Sequence, residues 1–250
     1  MSKLGVFDSG LGGFTIAQAI HQNYPQQDIV FLADQKNIPY GNRPVAELEA
    51  IIYANMSWFA KQGIKKVILA CNTTSVLPLT RVIHDFPDLE LIRIIDITVE
   101  QLKDEQLTEL IVLATTVTIA SHAYYKSIER INDQLKVHEI AMPDLAHLIE
   151  TLASKERIQD EIVSKLGKYA NSGIPVLLGC THYPLVQRQI CDYLGGKAYS
   201  SITPILKQTS LYSSGSGIFD CYTTGDIANF KKQVKELFNR DLNPSKLDIE

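Results

Sequence analysis

Short, continuously apolar runs alternate along the chain with longer stretches in which apolar residues recur every three or four positions. The runs are Leu4–Phe7, Ile29–Leu32, Lys66–Ala70, Leu91–Ile95, Leu110–Ala114, Val137–Ile140 and Pro175–Leu178. They are rich in β-branched residues and lack polar alternation, as parallel strands covered on both faces do. The clearest helical stretch opens at Pro44, suited to a first helical position, with Glu47 and Glu49 in its first turn. Val45, Leu48, Ile52, Met56 and Phe59 follow at spacings of three and four before Gly63 ends it. Strand–helix alternation repeated in this way predicts an α/β fold with mainly parallel sheets.

One pattern occurs twice. Val67-Ile68-Leu69-Ala70-Cys71-Asn72-Thr73 and Val176-Leu177-Leu178-Gly179-Cys180-Thr181-His182 are each an apolar strand, a small residue, a cysteine and then small hydrogen-bonding residues, 109 positions apart. The repeat predicts two related halves. No low-complexity segment or long linker separates them, although Pro87-Asp88 and the stretch from Ser200 to Gly217 weaken the alternation.

Composition narrows the field. Of 250 residues 45% are hydrophobic and 21% charged, which excludes disordered, collagenous and membrane-spanning chains. The net charge of −4 and the absence of any long basic run argue against a nucleic-acid partner and for a small molecule or a protein. Cys71, Cys180, Cys191 and Cys221 are spaced too widely for a disulfide framework or a paired CxxC zinc site, so a reducing compartment fits. The first apolar run has four residues, too few for a signal-peptide core or a membrane span, and the cytoplasm is the expected location.

In open α/β sheets ligands bind beyond the carboxyl ends of the strands. Those ends carry Asp8-Ser9-Gly10-Leu11-Gly12-Gly13, Asp34 with Pro39-Tyr40-Gly41, Cys71-Asn72-Thr73-Thr74-Ser75, Thr115-Thr116-Val117-Thr118 and Cys180-Thr181-His182. A free cysteine commonly packs as a small hydrophobe, and Cys191 and Cys221 read that way. Cys71 and Cys180 instead sit at strand-to-helix turns, where N–H groups favour a thiolate. Cys180 with His182 offers only two metal ligands, and as a nucleophile–base pair the two are neighbours on one turn. Two symmetric thiols suit a two-base proton transfer that inverts a stereocentre. Asp8 reads either as an N-cap or as a group acting on a thiol proton or a substrate ammonium. The Gly10–Gly13 loop lacks both the P-loop lysine and GxGxxG spacing. His21, His84, His122, His138 and His147 fall in helical or strand patterns as surface or satisfied residues.

Phe7-Asp8-Ser9-Gly10-Leu11-Gly12-Gly13, Pro39-Tyr40-Gly41, Ala70-Cys71-Asn72-Thr73, Leu178-Gly179-Cys180-Thr181-His182-Tyr183-Pro184-Leu185 and Tyr222-Thr223-Thr224-Gly225-Asp226 together resemble the glutamate racemases of bacterial cell-wall synthesis, in order and across the whole chain. The resemblance implies two similar Rossmann-like or flavodoxin-like domains, residues 1–95 plus 206–250 and residues 96–205, with the active site in the cleft between them. It implies racemisation of L- and D-glutamate without cofactor or metal, with Cys71 and Cys180 on opposite faces of Cα and Asp8 and His182 assisting the thiols. Cys71 would take the proton from the D-enantiomer and Cys180 from the L-enantiomer. Asp8, Ser9, Pro39, Tyr40, Gly41, Asn72, Thr73, Thr118, Thr181 and His182 match positions that hold the substrate, and Glu150 falls where a helper glutamate is expected. Family members commonly form homodimers. The chain departs from the family pattern at Thr74, Asp96-Ile97, Ala114, Val117 and Met142-Pro143-Asp144, and lacks a second Asp-Ser-Gly near Ser200. The alternatives are a racemase of aspartate or another amino acid, and a glutamate-binding regulatory protein without turnover.

Overall fold

The computed structural model describes residues 3–249. Strands β1 (Leu4–Asp8), β2 (Ile29–Ala33), β3 (Lys66–Leu69) and β4 (Glu90–Arg93) belong to one sheet. A second sheet takes β5 (Glu109–Ala114), β6 (Lys136–Ala141), β7 (Val176–Gly179) and β8 (Ala198–Tyr199). The chain then returns to the first as β9 (Phe219–Thr223) and β10 (Ser245–Lys246). Helices α1 (Phe14–Asn23), α2 (Val45–Lys61), α3 (Asn72–Ser75), α4 (Thr80–Asp85) and α5 (Ile94–Glu100) accompany the first passage. Helices α6 (Thr116–Ser121), α7 (Ala123–Glu129), α8 (Leu145–Glu150), α9 (Lys155–Leu166) and α10 (Gln187–Leu194) accompany the second, and α11 (Ile202–Leu206) and α12 (Ile227–Phe238) the return.

The strand orders are β10-β9-β2-β1-β3-β4 and β6-β5-β7-β8, and every pairing is parallel. Because alternate side chains of a strand point to opposite faces, each sheet feeds two cores. Leu4, Val6, Phe31 and Ile68 meet Phe14 and Ile20 of α1 on one face of the first sheet. On the other, Phe7, Leu32 and Leu69 meet Leu48, Ile52, Met56 and Phe59 of α2. Phe7 and Phe59 pack edge-on at 6.5 Å, and burying each such side chain stabilises the fold by about 1.5–3 kcal/mol. Ile111, Leu113, Val176 and Leu178 face one core of the second sheet, and Leu110, Val112 and Leu177 the other.

All seven expected strands are present. The Leu91–Ile95 run divides, since Ile94 and Ile95 open α5. A buried apolar run does not by itself distinguish strand from helix, and here Ile94 fills a core of the first sheet while Ile95 and Val99 fill one of the second. Pro44 stands just before α2 rather than at its first helical position. Cys221 is buried in the first sheet's core and Cys191 is half-buried on α10. Among the described residues no helix is long and apolar enough to cross a membrane.

The two halves share a topology. In the first sheet β2 lies on one side of β1 and β3 on the other; in the second, β6 and β7 flank β5 in the same way. The strand order therefore reverses between β1 and β3 and between β5 and β7, the crevices where α/β sheets bind ligands. Cys71 follows β3 and Cys180 follows β7, so the 109-residue repeat is a repeat of position in the fold.

Candidate active site

The carboxyl ends of the two sheets meet around an open cavity. Ser9, Pro39, Tyr40, Gly41, Cys71, Asn72 and Thr73 line it from the first sheet, and Thr115, His147, Glu150, Cys180, Thr181 and His182 from the second. Both thiols are buried. Among the described residues the lining contains neither Lys nor Arg, so the donors it offers an anion are N–H, O–H and S–H groups and histidine, beside the Glu150 carboxylate.

On the first side, Asp8 ends β1 with no exposure, accepting from the Gly10 N–H at 2.9 Å and from the Thr181 hydroxyl of the opposite turn at 3.0 Å. It stands behind the lining rather than in it. Burial, opposed by His182 and by these hydrogen bonds, raises its pKa to about 6. The Cys71 thiol donates to Ser9 Oγ at 3.5 Å. Burial, then the nearby Asp8 charge, pushes this thiol up, while Ser9 and Thr74 oppose the shift. The turn N–H groups therefore do not prevail at Cys71, which rests as a thiol at neutral pH.

The other thiol has a different neighbourhood. Cys180 Sγ lies 3.8 Å from His182 Nδ1, and His182 Nε2 is hydrogen-bonded to Glu150 Oε2. Glu150 also accepts from the Leu11 N–H at 3.0 and 3.1 Å and from Gln35 Nε2 at 2.5 Å. Burial alone would neutralise both partners. For His182 burial is outweighed by Cys180 and Glu150, which hold it well above its usual value. For Glu150 burial is outweighed by His182, Gln35 and Leu11, which hold it below. The pair is an imidazolium on a carboxylate, with Nδ1–H free to face Cys180. Gly12 makes this approach possible, because a Cβ there would lie 2.5 Å from both His182 Nδ1 and Thr181 Oγ1.

The Pro39-Tyr40-Gly41 segment is held from below by Asp34, whose carboxylate accepts from Tyr40 at 2.5 Å, Thr224 at 2.6 Å, Asn37 at 3.0 and 3.1 Å and Asn55 at 3.2 Å. Thr73 Oγ1 meets Thr115 Oγ1 at 2.9 Å, and Thr115 meets Thr118 at 3.0 Å. Thr118 is thus one hydroxyl behind the wall and Thr115 forms it. Both stand on the same turn, and only which hydroxyl packs inward separates them. His147, expected on the surface, lines the cavity with Pro143 and Ala146. Nothing local in the helical pattern of Leu145–Glu150 marks these lining positions, which become recognisable once α8 is placed over β7's turn.

No protein-family model matches the chain. It is 30% identical over 261 residues to the glutamate racemase of Staphylococcus aureus strain MRSA252, covering 98% of each chain. Among solved structures, glutamate racemase isoform RacE1 of Bacillus anthracis superposes with a TM-score of 0.88 at 26% identity, over 99% of this chain and 97% of that one. The Francisella tularensis glutamate racemase, solved with D-glutamate, gives 0.85 at 25% identity, over 100% and 97%. Paired parallel sheets closing on one cleft, with these likenesses, define an isomerase of the amino-acid racemase class. Within that class the chain belongs to the glutamate racemase family.

Proposed function

We propose that this protein interconverts L- and D-glutamate without a cofactor by a two-thiol transfer of the Cα proton, supplying D-glutamate for peptidoglycan. The observation that carries the reading is the placement of two buried thiols, one from each sheet, on the wall of a single cavity. In one direction the Cys180 thiolate, paired with the His182 imidazolium, removes the Cα proton of L-glutamate. The electron pair left on carbon delocalises into the α-carboxylate, where aligned N–H and O–H donors meet it. The Cys71 thiol then protonates the opposite face, giving D-glutamate, a Cys71 thiolate and a Cys180 thiol; D-glutamate reverses these steps. Because enantiomers have equal free energy in water, kcat/KM is the same in both directions however differently the two thiols are surrounded.

On this reading Ser9, Tyr40, Gly41, Asn72, Thr73, Thr181 and His182 hold the substrate, with Thr118 supporting Thr115. Residues 1–95 plus 206–250 and 96–205 form the two domains, a division supported by the chain's return to the first sheet through β9 and β10. A cytoplasmic homodimer completes the reading by family resemblance.

The test is incubation with either enantiomer in deuterated water. The product, and recovered substrate near equilibrium, carry deuterium at Cα by NMR, and aspartate under the same conditions exchanges far more slowly. Absence of exchange from both glutamate enantiomers overturns the reading; faster exchange into aspartate reassigns the substrate. A second outcome follows from Asp8, which ionises at about pH 6. From behind the wall the ionised form favours the substrate ammonium through space, so kcat/KM falls on the acid side with a limb near that pH. In Asp8→Asn the limb disappears and kcat/KM at pH 8 drops roughly tenfold, the equivalent of one lost charge interaction of about 1.4 kcal/mol. An unchanged limb in the variant assigns it elsewhere.

A further inference from the structure

Asn72 is 2% exposed, yet its Nδ2 has no hydrogen-bond partner among the described residues. Its other end is committed, since the Tyr124 hydroxyl donates to Asn72 Oδ1 at 2.5 Å. A side-chain amide has a donor end and an acceptor end. With Oδ1 occupied, the NH₂ is the end left for the cavity that Asn72 lines. The flipped amide would present an acceptor there instead. In a wall without Lys or Arg, that flip replaces attraction for a carboxylate by repulsion.

Tyr124 is equipped to choose between the two. A phenol both donates and accepts, so its proton points at Asn72 only if other donors fill its oxygen. The hydroxyls of Thr98 and Ser201 lie close to that oxygen; Thr98 Oγ1 donates to Ser201 Oγ at 2.8 Å, which leaves the Ser201 proton for the phenol. Thr98 lies on α5, on the way out to the second sheet, and Ser201 immediately precedes α11, on the way back. Tyr124 itself stands on α7 and is 1% exposed. Its ring lies against Gly179, where a Cβ would come within 2.8 Å of Tyr124 Cε2. One side chain from the second half thus rests on the residue before Cys180 and reaches the residue after Cys71.

We infer that Tyr124 is a positioning residue for substrate binding, its hydroxyl fixing the Asn72 amide with the NH₂ toward a substrate carboxylate. The inference rests on the glutamate reading above. It makes the orientation of one donor on the first half depend on a residue of the second half, braced by both connections between the sheets.

Tyr124→Phe keeps the ring on Gly179 and removes only the hydroxyl. KM for glutamate rises about tenfold while kcat changes less than about threefold, as expected when a hydrogen bond to a charged group is lost from ground and transition states alike. Ser201→Ala, which frees the acceptor side of the phenol, raises KM in the same direction. In an Asn72→Ala background, Tyr124→Phe adds less than about twofold, because coupled residues are not additive. A merely structural role gives equal increments in both backgrounds. That result, or an unchanged KM in Tyr124→Phe, overturns the inference. Calorimetric binding of racemic glutamate separates the two readings. If the wild type binds but does not racemise, the catalytic reading fails and a tenfold weaker affinity of Tyr124→Phe still sustains its positioning role. Equal affinities, or no binding by the wild type, reject that role.

Discussion

Cys71→Ser and Cys180→Ser each lower racemisation roughly a thousandfold or more, within the range that a positioned acid or base contributes. A serine hydroxyl is far less acidic than a thiol, so neither proton removal by Ser nor its matched proton return keeps pace. Both variants stay folded, since the two side chains differ by one atom and each site offers a hydroxyl a partner, Ser9 at position 71 and His182 at position 180. The more telling result is one-sided. Cys180→Ser retains the Cys71 thiol and slowly washes α-deuterium out of D-glutamate but not L-glutamate, while Cys71→Ser does the reverse. Proton NMR on α-deuterated enantiomers in ordinary water reads both. A reversed pattern exchanges the assignments of the thiols; full racemisation in either variant removes that thiol from the mechanism.

The two thiols stand in unequal surroundings although their backbone positions correspond. Burial and the Asp8 charge disfavour the Cys71 thiolate against the opposing Ser9 hydrogen bond; Cys180 faces an imidazolium. A one-way catalyst would exploit such a difference, whereas a racemase cannot change its equilibrium by it. Turnover in either direction needs one thiol and one thiolate, because two thiols would lack a base and two thiolates an acid.

The sheet interiors were legible because burial on both faces leaves strands with continuous apolar runs, and the repeated strand–cysteine pattern corresponds to a repeated strand order. The hydrophobic pattern did not show the return to the first sheet, which the family resemblance alone implied by grouping residues 206–250 with residues 1–95. In β9, Phe219-Asp220-Cys221-Tyr222-Thr223 mixes polar and apolar residues, while β8 and β10 have two residues each, too short for any periodicity. Local turns announce the groups they carry, hence Cys71, Cys180, Ser9 and Thr181. They do not announce what arrives from elsewhere. Glu150 reaches His182 from the end of α8, Tyr124 reaches Asn72 from 52 positions away, and Thr224 reaches Asp34 from 190 positions away. Family resemblance picked out Glu150, which no feature of its own helix distinguishes.

Glu150→Gln tests that buried pair in both activity and stability. Without the carboxylate, desolvation of His182 is opposed only by Cys180, and the imidazole loses its proton at a lower pH. The Nδ1 donor toward Cys180 is then missing at neutral pH. Activity at pH 8 falls roughly a hundredfold, the lower end of a general acid–base contribution, and the alkaline limb of the pH profile moves to lower pH. Stability has its own signature. His182 is raised from 6.5, so its contribution to the pair is complete below 6.5 and is lost as pH rises through the folded value. Glu150 is lowered from 4.5, so its contribution is complete above 4.5 and is lost as pH falls through the folded value. The stability gap between wild type and variant is therefore widest between those two reference values, roughly 3 kcal/mol for removing one partner of a buried pair, and narrows above them. Chemical denaturation across pH 5–9 measures it. A gap independent of pH, with an unmoved alkaline limb, shows that His182 is not held charged by Glu150.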